Sequence, residues 1–141
     1  MPQLSTIDYG TDLVALTDMD PNGRIARGVK FVAQEIARRI LTPRGAVIGC
    51  PDDGIDVRDY MGQNLTARDM PRIQGEIAAE ISKDVRVDTF TVKCTLTQVS
   101  GTTVTPRSLL TIEVAGVCSP GPFAFVLNVD EVTVEFLEQS I

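Results

Sequence analysis

The chain has 141 residues, the usual size of one domain, and its 43% hydrophobic content is enough for a single buried core. Thirteen basic against nineteen acidic residues leave a net charge of -6, a field that repels phosphate, so nucleic acid is not an expected partner. Histidine is absent, which removes the commonest general base and transition-metal ligand together with the Ser-His and Cys-His catalytic arrangements.

The chain does not open on a basic segment followed by an apolar one, and it has no run of the roughly 18 apolar residues that a spanning helix needs. The expectation is a chain that folds in the cytoplasm without a membrane partner. Cys50, Cys94 and Cys118 are an odd set without CxxC spacing, unsuited to a disulfide framework or a zinc site. They are expected to be small buried hydrophobes, Cys94 and Cys118 because they sit inside apolar alternation.

Residues 1–22 read as an N-terminal extension, a short apolar run (Leu13, Val14, Leu16) among turn formers. The "DPNG" of residues 20–23 signals a turn and a helix start. A helical part then covers 23–83. Ile25, Val29, Val32, Ile36 and Ile40 recur at helical spacing and form one stripe, and "TPRG" at 42–45 ends that helix because proline cannot continue its hydrogen bonding. Arg38, Arg39 and Arg44, near its end, are expected to answer the negative end of the helix dipole. A second helix follows from Met70, Ile73, Ile77 and Ile81, with Thr66 and Asp69 spaced as a capping box and Pro71 suited to the first turn.

From residue 84 to 141 the period changes to two. Phe90, Val92, Cys94 and Leu96 alternate with Thr89, Thr91, Lys93, Thr95 and Thr97, which gives a strand with one buried face. "SGTT" at 100–103 marks a hairpin turn. Leu110, Ile112 and Val114 continue in a second strand, with Pro106 confined to its start or an edge, and "SPGP" at 119–122 turns the chain again. In the last strand the apolar positions are odd up to Val129 and even from Val132, so a bulge or break is required near Asp130–Glu131. The terminal piece "VTVEFLE", left unpaired, would be an apolar edge that attracts a partner strand from its own sheet or from another chain. The expected architecture is α+β: a single domain, 1–141, with two amphipathic helices packed on one side of a three- to four-stranded antiparallel sheet.

The densest charged cluster is Asp52, Asp53, Asp56, Arg58 and Asp59, between the helices. It lacks the alternating oxygens, sixth-position glycine and twelfth-position glutamate of an EF-hand loop. It also lacks the apolar surroundings that would raise one carboxyl of a glycosidase pair, and the chain has no tryptophan and two tyrosines to stack on sugar. Gly45, Gly49 and Gly54 are too widely spaced for a phosphate loop. The aspartates read instead as turn formers and possible subunit contacts, with Arg58 making local ion pairs worth little in water. No catalytic residue, metal site or cofactor is expected.

The segments "YGTDL", "IARRILTPRGAVIGCPDDGIDVRDYM" and "LTARDMPRIQGEIAAEISKDVRVDTFTV", within residues 8–97, together with "GPFAFVLNVDEVTVEFL", resemble the small baseplate wedge proteins of contractile phage tails and related injection machines, sometimes labelled lysozyme-like. The resemblance implies a structural role in the virion: sixfold placement around the tail tube or hub, contact with other wedge subunits, and initiation of the tail sheath by strand exchange. In that family an acidic residue, a proline and an arginine commonly follow the second helix, and the arginine docks on the helical core of the wedge. Here Asp84 stands for the acidic residue, Val85 for the proline and Arg86 for the arginine. Val132, Thr133, Val134, Glu135 and Phe136 are the implied site of sheath-strand addition. A cell-wall hydrolase, or an adaptor at a neck or tail tip, is the alternative.

Overall fold

A computed structural model of the protein describes residues 10–15, 20–99, 107–118, 121–130 and 134–138. Two short strands come first, β1 (Thr11–Leu13) and β2 (Ile25–Arg27), paired antiparallel with Asp12 opposite Ala26. Helix α1 (Val29–Leu41) follows, then short 3-10 turns at Val57–Gly62 and Ala67–Asp69, and helix α2 (Met70–Ile81). The chain closes with strands β3 (Val87–Val99), β4 (Arg107–Cys118), β5 (Gly121–Val129) and β6 (Val134–Glu138), which form one antiparallel sheet in sequence order. With two helices and two antiparallel sheets, the fold class is α+β.

The start of α1 differs from the sequence expectation. The Asp20–Gly23 segment is a turn, with Gly23 N–H donating to Asp20 O at 2.9 Å and Asn22 N–H to Asp20 Oδ1 at 2.9 Å, but it joins β1 to β2 rather than opening a helix. Ile25 therefore leaves the helical stripe and is 52% exposed in β2. Gly28, with φ of 61°, makes the left-handed step that an L side chain resists, and the helix begins at the next residue.

The β1–β2 hairpin is tied to α1 by polar side chains. Gln34 donates from Nε2 to Leu13 O at 2.9 Å and accepts from Ala15 N–H at 3.3 Å. Arg38 donates to Ala15 O from both Nε and Nη2, and its Nη1 reaches Asp12 and Glu35. Arg38 thus does more than answer a helix dipole: it pins the hairpin that the sequence shows only as an extension.

α2 follows its signals closely. Thr66 N–H donates to Asp69 Oδ2 at 2.9 Å, Pro71 lies in the first turn, and Met70, Ile73, Ile77 and Ile81 are buried. One apolar core joins its stripe to Val32, Ile36 and Ile40 of α1 and to Leu110, Ile112, Val114, Phe125, Leu127 and Val129. The sheet residues of that core lie directly opposite one another across β4 and β5, so they share one face. Cys94 and Cys118 belong to it, whereas Cys50 sits exposed on the interhelix loop, outside the alternating strands that bury the other two.

The parity change in the terminal segment is explained by a break. β5 and β6 pair as separate strands, Val129 opposite Val134 and Leu127 opposite Phe136, so odd positions of β5 stand opposite even positions of β6. A register irregularity does occur in the sheet, but between Val87 and Thr89 of β3. Residues 100–106, 119–120 and 131–133, which include the expected "SGTT" turn, Pro106, Val132 and Thr133, lie outside the described residues.

Candidate functional site

The loop between the helices is organised by a residue from α2. Glu80 is 1% exposed, and its Oε1 accepts from Gly54 N–H at 2.7 Å and from Arg39 Nη1 at 3.4 Å. Its Oε2 takes Lys83 Nζ at 2.8 Å, and Arg44 Nη2 lies 3.9 Å away. Burial would push this carboxyl up, but the Lys83 hydrogen bond, the Gly54 amide and the neighbouring cations outweigh it and hold Glu80 below the ordinary value. Gly54 is required where it stands: its φ is 99°, and a Cβ would come 2.3 Å from Thr42 O. Arg44 Nε also donates to Gly54 O at 3.2 Å, so both the N–H and the carbonyl of this residue are fixed.

The five charged residues singled out in this loop do not converge on one point. Asp52 is exposed and contributes its carbonyl, which accepts from Lys83 Nζ at 2.7 Å. Asp53 pairs with Arg39 at 3.5 Å, and Asp59 is exposed. Asp56 is buried, so its pair with Arg58 is not the water-exposed one that the sequence suggested. It accepts from Arg58 Nε at 2.7 Å and Nη2 at 3.1 Å, and Arg58 Nη2 also reaches Leu41 O at 3.1 Å, so the pair fastens the loop to the end of α1. Among the described residues no group of three or more acidic or cysteine side chains is placed to hold a metal ion.

Asp84 and Arg86 form a second such pair after α2. Asp84 is 7% exposed; its Oδ1 accepts from Arg86 N–H at 3.0 Å and Nε at 2.9 Å, and its Oδ2 from Nη2 at 2.6 Å. Burial again acts to raise the carboxyl, and the guanidinium and amide of Arg86 overcome it, leaving Asp84 lowered. The guanidinium carbon of Arg86 lies 5.4 Å from the centre of the Phe31 ring, so the side chain rests on α1 instead of extending into solvent. Between the two, Val85 is 95% exposed.

A concavity of about 290 Å³ brings the two regions together. Arg86 lines it with Glu35, Arg38 and Arg39 of α1 and with Val47 and Asp53 of the interhelix loop. A second depression lies over α2 between Tyr60, Glu76 and Lys83; there Tyr60 OH donates to Glu76 Oε2, and burial and that carboxylate push the phenol above its ordinary value. The carboxylates lining the first concavity are met by cations, Glu35 by Arg38 and Asp53 by Arg39; Arg39 also pairs with Glu80, and Arg86 with Asp84.

Of the predicted strand-addition residues, Val134, Glu135 and Phe136 lie in β6 and pair with Val129, Asn128 and Leu127 of the same chain. Among the described residues the sheet therefore ends with β6 at one edge and β3 at the other. Sequence reasoning missed Glu80, which clamps the loop, and read Arg39 only as a partner of the helix dipole. A signal existed for Glu80, since it falls three residues after Ile77 on the apolar stripe of α2, and a carboxylate on a buried stripe requires cationic or amide partners. No protein-family model, no characterised protein and no solved structure matches the chain.

Proposed function

We propose that the chain is a structural component of a contractile-tail baseplate, a wedge subunit that docks on neighbouring subunits at the Asp84–Arg86 corner and starts the sheath by adding a strand of the sheath protein to its sheet. The observation that carries this reading is the placement of β6. It is a five-residue strand at the end of a four-stranded sheet, and no strand among the described residues pairs with its outer side. Such an edge offers main-chain hydrogen bonds to an extended partner, with affinity from the backbone and specificity from alternate side chains.

The charged sites support a structural role over hydrolysis. A glycosidic general acid needs a carboxyl raised towards neutrality. Glu80 and Asp84 are instead lowered, and the carboxylates lining the first concavity are paired with arginines.

Electron microscopy of intact particles tests the proposal. The expected result is density for this chain in the baseplate beside the tail tube, with a sheath strand running along β6. Density at the neck, or a baseplate position with no strand on β6, overturns it. Peptidoglycan turnover by the purified chain would establish the hydrolase reading in its place.

A further inference from the structure

A sheet with two open edges would accept strands on both sides. β3 is the longer edge, thirteen residues, rich in the β-branched residues that favour pairing. It is interrupted at its centre. Cys94 N–H donates to Oε1 of Gln74 at 2.9 Å, a side chain from α2 rather than a strand. In an antiparallel strand the outward backbone groups belong to alternate residues, so the groups a new strand would use on β3 are those of Phe90, Val92, Cys94 and Leu96. Gln74 occupies the Cys94 position within that row.

The cap is held in place by the core. Gln74 follows Ile73 and precedes Ile77, both 0% exposed, so its side chain starts from a helix flank that cannot shift without unpacking α2. Beside it Lys93 is exposed on the strand, with Glu113 across at 3.9 Å, and a lysine on an edge strand repels a second copy that approaches in register. Among the described residues no strand pairs with the outer side of β6.

We infer that Gln74 makes the sheet single-edged: it seals β3 against strand addition and leaves the outer side of β6, which no strand among the described residues covers, to an extended segment of a partner chain. The β6 half of this inference rests on the strand-addition reading above, whereas the β3 half stands without it. The occupant that Gln74 excludes is a second copy of this chain, pairing β3 to β3, since an uncapped antiparallel edge is complementary to itself about a two-fold axis.

Three variants of the full chain test this by amide hydrogen exchange and sedimentation: Gln74→Ala, Gln74→Glu, and Gln74→Ala combined with Lys93→Thr. Exchange at the Cys94 amide is expected to accelerate roughly fivefold to tenfold in Gln74→Ala, the loss of one net hydrogen bond. It should stay near the native rate in Gln74→Glu, which keeps an acceptor. The double variant should dimerise, with added protection along β3, while the native chain does not self-associate through that strand. Unchanged exchange in Gln74→Ala overturns the inference even if the double variant fails to fold, and a folded, monomeric double variant overturns the sealing role. If the native chain shows no sheath strand on β6 but Gln74 behaves as stated, the baseplate reading fails and the edge cap stands.

Discussion

Asp56-Val57-Arg58 and Asp84-Val85-Arg86 are the same tripeptide in two settings. In both, the arginine backbone N–H and Nε donate to one carboxylate oxygen and Nη2 donates to the other. The middle valines part company: Val57 is 0% exposed and Val85 is 95% exposed. The backbone supplies the reason. Asp56 has φ of 46°, a left-handed step that turns the chain so that the next side chain enters the core, and Asp84 has no such step. The arginines differ too, with Arg58 52% exposed and Arg86 26% exposed against Phe31. Local sequence is sufficient to form the ion pair, and the surrounding fold decides what that pair carries.

The largest effect expected from this contrast is at the aspartates. Asp84→Ala leaves a partly buried guanidinium without its carboxylate and should cost about 2–3 kcal/mol, less than the roughly 3–5 kcal/mol of a fully buried pair because Arg86 can partly rehydrate. Asp56→Ala should cost about 1–2 kcal/mol, since Arg58 returns to water more readily. Urea unfolding midpoints of the two variants measure the difference, and equal losses would break the comparison.

The acid dependence sharpens it. The folded carboxyl of Asp84 lies below its unfolded value, so its contribution is complete above about pH 4 and is lost as the pH falls through the lower folded value. Asp84→Asn should therefore flatten part of the fall in stability below pH 4, read from unfolding midpoints across that range; an unchanged slope would remove Asp84 from the acid response.

The valines come next. Val57→Ala removes two methyl groups from the core and should cost about 2 kcal/mol. Val85→Ser touches nothing buried and should change stability by no more than about 0.5 kcal/mol. In the baseplate reading the order reverses for assembly: Val85→Ser should weaken incorporation into particles, measured by subunit occupancy, while Val57→Ala should affect it only through stability. Full incorporation of Val85→Ser would detach the exposed valine from docking.

Sequence alone determined the features that depend on spacing along the chain. The stripes of α1 and α2, the Thr66–Asp69 cap and the alternation of β3, β4 and β5 were legible because helix and strand periodicities act between near neighbours. The α+β class followed from their order. The β1–β2 hairpin was not legible, since three-residue strands leave almost no period and it is tied down by Gln34 and Arg38, 19 to 23 residues from the backbone groups they bind. The acidic loop was legible as a turn-rich connector, but the burial of Asp56 and the clamp at Glu80 were decided by tertiary structure. The apolar stripe of α2 signals that Glu80 needs partners, but which amides and cations meet it is decided only when segments distant in sequence come together. The same holds for Gln74, an ordinary polar residue on a helix flank until the sheet places the Cys94 amide 2.9 Å away.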